Sequence, residues 1–251
     1  MRFAIMLCCL FFVSVPVAHA ASASGSDVVS KPKMSVSDLM RWQRTLTQFT
    51  KHYDDTLVRI RRGSDQLDFD IRSMRHYYAR SEYYMPFSKG ILDEMTEYAY
   101  IVDTSNDREE VNESLLRYKE LVWAHLINLD VLTFAITMSR IDARYGDEIL
   151  FKDVERALLK DILYENVKCE KPKLACRIVS YGEETYILGR VGGTLKQSKI
   201  YEVNGLYYNV HDLIKDGKEI QVYIDVTVPI VNVMKRQAVQ DSSADVSIHP
   251  Q

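Results

Sequence analysis

The sequence predicts an α+β fold: an elongated antiparallel helical bundle followed by a small antiparallel β domain. Three observations lead there. From Ser37 to about Asn166, apolar residues recur at spacings of three and four, the period of one helix face. After Val167 the period falls to two, that of a half-buried strand. Two dipeptides, Asn204-Gly205 and Asp216-Gly217, interrupt that alternation where hairpin turns need residues that tolerate positive φ.

The first residues read as a secretory signal peptide over 1–20. Arg2 precedes an apolar run from Phe3 to Val17, and Ala18-His19-Ala20 supplies the small residues a signal peptidase needs. The run is shorter than the roughly 20 residues that span a bilayer. Residues 21–36 are small, polar and aperiodic, and are expected to form a flexible leader. No later stretch is apolar enough to cross a membrane, so the mature chain is expected to be periplasmic or secreted, without a transmembrane span.

The helical bundle domain is expected over 37–166. Its first helix carries Leu39, Trp42, Leu46, Phe49, Tyr53 and Ile60 on one seam, with Ser37 as N-cap. Gly63-Ser64-Asp65 is expected to interrupt or bend it, and a second helical pattern follows through Leu67, Ile71, Met74 and Tyr78. Ser88 is the cap expected for a third helix with Leu92, Met95, Tyr98 and Val102 inward. A fourth is expected to run unbroken from Asp107 to Gly146, roughly 55 Å at the usual helical rise. Asp107 and Glu110 have capping-box spacing at its start. The last helix spans about Ile149 to Asn166.

A small disulfide-tethered β domain is expected over 167–235, and a disordered tail over 236–251. "ACRIVSY" and "ETYILGRV" read as two strands, "IYEVNGLYYNV" as a hairpin, and "EIQVYIDVTVPI" as an alternating strand running to Ile230. Cys169 and Cys176 stand seven apart, with Lys171-Pro172-Lys173 as a turn between them. A redox-active pair has two intervening residues, and a zinc site needs ligands that no second Cys or His pair supplies. A structural disulfide at the helix-to-strand junction is expected, with free thiols as the alternative, and is worth on the order of 2–3 kcal/mol.

Composition narrows the chemistry. A net charge of −3 and carboxylates interleaved among the basic residues argue against a nucleic-acid partner. There is no HExxH, GxSxG or phosphate-cradling glycine loop, so neither a metal nor a cofactor is expected. The segment from Arg59 to Tyr84 mixes arginines and tyrosines, residue types that dominate protein interfaces. Arg72, Arg75, Tyr77, Arg80 and Tyr84 are therefore the candidate partner-binding residues, against the alternative of a solvated helix face with internal Arg–carboxylate pairs. The functional expectation is an exported, non-catalytic interaction protein, an accessory or assembly component of a cell-envelope structure with a protein partner there. The rival is an exported hydrolase with a site in the groove between the two parts, its candidate residues being His211, Glu183, Glu184 and Asp225.

Overall fold

The structure, a computed structural model, describes residues 35–163 and 169–246. The expected signal peptide and nearly all of the leader lie outside the described residues. The fold is α+β, with a small sheet in the C-terminal part. Among the described residues no helix is long and apolar enough to cross a membrane.

Helix α1 spans Val36–Arg61, capped by Ser35 rather than Ser37: the Ser35 hydroxyl accepts from the Asp38 N–H at 3.2 Å. It ends at Gly63, whose φ of +82° suits a residue without a Cβ. Helix α2 spans Leu67–Tyr78, burying Ile71, Met74 and Tyr78 as the spacing predicts. Helix α3 covers Lys89–Thr104. Ser88 stands at its N-cap position but donates its hydroxyl to Asp130 instead of capping.

The expected long helix is broken in two, α4 over Arg108–Ala124 and α5 over Leu129–Ile141, with a 3₁₀ turn at Ala143–Tyr145. Asp107 caps α4 by accepting from the Glu109 N–H at 2.8 Å. Asn128 caps α5 by accepting from the Asp130 N–H at 3.2 Å. The break is buried, since Leu126 and Ile127 are both fully covered, so its freed backbone groups need partners. Tyr53 of α1 supplies them. Its hydroxyl donates to the Trp123 carbonyl at 3.0 Å and accepts from the Leu126 N–H at 3.2 Å. An uninterrupted seam of apolar residues therefore does not imply an uninterrupted helix. Helix α6 spans Glu148–Ile162 behind an Asp147 cap.

The Cα atoms of Cys169 and Cys176 are 5.3 Å apart, with the sulfurs at disulfide distance. Strand β1 is only Cys176–Arg177. The expected strand "ETYILGRV" is instead part of helix α7, Tyr181–Val191. Glu183 and Glu184 fill its first turn, where negative charge suits the helix dipole. Strands β2 (Thr194–Val203), β3 (Leu206–Lys215) and β4 (Lys218–Asp225) follow. The sheet order is β1-β4-β3-β2. β2, β3 and β4 pair antiparallel, but β1 joins β4 in parallel, so the sheet is mixed. β4 stops at Asp225, short of the Ile230 expected. The Asp225 carboxylate accepts from the Thr227 N–H at 3.0 Å, and helix α8 begins there with Pro229 in its first turn. Its backbone stays helical to Val246, through the first part of the segment expected to be disordered.

Helix α2 packs on α1 and α6, and α5 packs on α6 and α7. One apolar core includes Tyr53, Met74, Leu132 and Leu158 from the helices and Leu213, Val222 and Ile224 from the sheet.

His125 sits in this core, 7% exposed, with Nδ1 3.0 Å from the Tyr78 hydroxyl. Burial pushes its imidazole down to about 4, whereas an unfolded histidine titrates near about 6.5. As pH falls the unfolded chain takes up the proton first, so stability is lost from about pH 6.5 down toward about pH 4. The separation is worth about 3 kcal/mol at most. Urea unfolding across that window is expected to show the loss, and His125→Gln is expected to flatten it.

Candidate functional site

The structure turns much of the Arg/Tyr segment inward. Arg75 is 9% exposed and donates to Asp161 of α6 and to Glu183 of α7, each at 2.6 Å. Tyr84 is fully buried, its hydroxyl donating to the Val179 carbonyl at 2.7 Å. Neither is available to a partner: the guanidinium neutralises carboxylates from two other helices, and the phenol closes a backbone bond. Arg72 is exposed but also donates to Asp161, at 2.8 Å. Tyr77 is half-buried against His52, with ring centroids 5.3 Å apart. Arg80 lies over the Phe49 ring at 5.5 Å. These five residues form no common outward face.

Of the residues considered for a hydrolase, two serve the scaffold. Glu183, fully buried, accepts from Arg75 and from the Val179 N–H at 3.0 Å. Burial pushes its carboxyl up, with Arg75 pulling it back. Asp225 accepts from Arg177 Nε at 3.0 Å and from the start of α8.

The other two meet, together with a serine that no sequence motif marked. Glu184 Oε1 accepts from Asn209 Nδ2 and His211 Nε2, each at 2.6 Å. An ionised carboxylate only accepts, so in the neutral ring Nε2 carries the proton and Nδ1 keeps its lone pair. The Ser198 hydroxyl lies 2.7 Å from Nδ1, and in that tautomer it donates into the ring. His211 and Glu184 are 4% and 8% exposed, whereas Ser198 is at the surface. This is the order of nucleophile, base and orienting carboxylate that acyl transfer uses. Counting back from the Asn204-Gly205 turn finds Ser198, because the register sets it opposite His211.

The same register describes the sheet's open edge. β2 is the outermost strand and all ten of its residues are exposed. Asn204 and Gly205 have φ of 54° and 75°, the positive values of a two-residue type I′ turn. In such a hairpin the flanking pair, Val203 and Leu206, exchanges both backbone bonds, and bonded pairs then alternate along the strands. Tyr201 and Lys199 therefore bond inward to β3. Glu202, Ile200 and Ser198 turn their N–H and C=O groups outward to solvent. Ile200, Tyr201 and Val203 are 59%, 48% and 50% exposed. Lysines commonly guard such an edge. β2 carries Lys196 and Lys199, and Lys196 crosses the sheet to Glu219 on β4, at 2.5 Å.

Arg75→Met is expected to lower stability by about 3–5 kcal/mol, because it leaves the fully buried Glu183 carboxylate without its cation, while Asp161 keeps Arg72. Arg80→Met is expected to cost no more than about 1 kcal/mol. Chemical denaturation of both variants checks the contrast.

Among the described residues no group of three or more His, Cys, Asp or Glu side chains is arranged to hold a metal ion. Comparison with protein-family models, with curated proteins and with solved structures gives no match to this chain.

Proposed function

We propose that this chain is an exported, non-catalytic interaction protein that docks a protein partner in the cell envelope through the open edge of β2. One observation carries the reading: a ten-residue edge strand exposed along its whole length, with outward backbone groups at Ser198, Ile200 and Glu202. An added strand satisfies such groups directly, and the exposed apolar side chains between them supply area and selectivity. Export is supported by the layout of residues 1–20 and by a cysteine pair at disulfide distance, which suits an oxidising compartment.

The test is affinity purification of the tagged chain from its native envelope. Ile200→Pro removes an outward N–H while leaving the inward bonds to β3 alone, so it is expected to weaken capture at least about tenfold. Tyr77→Ala and Arg80→Ala are expected to leave capture unchanged. Equal recovery with wild type and Ile200→Pro would remove the edge from the reading.

The Ser198–His211–Glu184 chain favours a second reading, the hydrolase. In that chemistry the Ser198 Oγ attacks an ester carbonyl, His211 Nδ1 takes the hydroxyl proton and returns it to the leaving alkoxide, and water releases the acyl group. A fluorophosphonate probe decides between the two. The docking reading expects no adduct on Ser198, whereas an adduct lost in His211→Gln would favour the enzyme.

A further inference from the structure

We propose that the strand docked on this edge is a second copy of the chain, with β2 paired to β2 antiparallel about a two-fold axis and Ile200 opposite its own counterpart. The inference rests on the docking reading above and names its occupant.

Geometry restricts the register. A two-fold axis normal to the sheet keeps each face continuous between copies, so a residue can stand only opposite one from the same face. Along β2 those faces alternate as Ser198, Ile200, Glu202 and as Lys199, Tyr201, Val203. New backbone bonds form only between outward residues. Setting Ile200 opposite Ile200 uses all three, since Ser198 and Glu202 then face each other on both sides of the axis. Sliding by one step in either direction leaves one outward residue facing the bulge between Leu195 and Gln197 or the turn at Asn204.

Side chains select the same register. The exposed Ile200 side chains meet at the axis, so a surface costly to leave in water covers itself. Lys199 falls opposite Tyr201 of the other copy, a cation beside an aromatic ring. Ser198 falls opposite Glu202, a hydroxyl beside a carboxylate. Of the two neighbouring registers, the one centred on Lys199 sets like charges directly opposite, which is unfavourable, and the one centred on Tyr201 sets the exposed Ile200 against the Glu202 carboxylate. Lys196, the other lysine of β2, is paired with Glu219 on β4.

Sedimentation of the full chain is expected to show a concentration-dependent monomer–dimer equilibrium. Ile200→Pro is expected to weaken it at least about tenfold with an unchanged circular dichroism spectrum. Cysteine substitution reads the register without depending on the proline variant's folding. Opposed bonded residues lie about 5.5 Å apart at Cα, within disulfide reach. Ile200→Cys is therefore expected to link two chains at position 200 on mild oxidation, identified by peptide mass spectrometry. In the same register position 199 meets its counterpart only diagonally, at about 7–8 Å, so Lys199→Cys is expected to link far less.

A wild-type chain that stays monomeric while its edge still captures a different protein overturns the self-pairing and leaves docking intact. Linkage at 199 as efficient as at 200 overturns the register. A dimer and an envelope capture that both ignore Ile200→Pro overturn the docking reading as well.

Discussion

The buried guanidinium of Arg75 is the constraint from which the placement of the sheet follows. It comes from α2, meets Asp161 on α6, and meets Glu183 at the start of α7. Burying an ion pair costs desolvation, and only near-ideal geometry with further hydrogen bonds offsets it. Both carboxylates lie at 2.6 Å, and the Val179 N–H adds a donor to Glu183. That requirement fixes α7 against the helices. Glu184, the next residue, is rotated by about 100° on the helix and holds Asn209 and His211 of β3. The position of the hairpin edge is thus inherited from a pairing made in the interior.

Two further details show how closely the helices and the sheet are fitted. Gly182 lies so near Asp130 that a Cβ there would fall 2.5 Å from the carboxylate. Any side chain there would displace the Asp130 carboxylate and disturb the bond it accepts from Ser88. The Tyr53 hydroxyl keeps open a buried break between α4 and α5 by occupying its unpaired backbone groups. Each is a single side-chain choice that serves a neighbour distant in sequence.

Legibility followed locality. Helix α2 was readable because its seam alone decides it, and both hairpin turns because Asn-Gly and Asp-Gly suit positive φ. Helix α7 was not, because "ACRIVSY" and "ETYILGRV" read as two separate strands with only Gly182-Glu183 between them. What reverses that reading is the packing of Gly182 on Asp130 and of Glu183 on Arg75, far away in sequence. Alternation carried the β4 strand past its end for the same reason: the pattern continues through Val226, Val228 and Ile230, while Asp225 and Pro229 start a helix. The Arg/Tyr segment suggested an outward face because spacing alone does not reveal which carboxylates lie opposite. The meeting of Ser198 with His211 was derivable from the turn, given the register.

The mixed sheet also sets an order of assembly. Strands β2, β3 and β4 are joined by two-residue turns, so their pairing closes short loops at little entropic cost. The parallel partnership of β1 with β4 spans α7 and both hairpins, and waits on the most distant closure in the sheet. The three-stranded meander can therefore form early while its outer strand stays uncovered. Seating it against Cys176–Arg177 is the closure that costs the most loop entropy in the sheet.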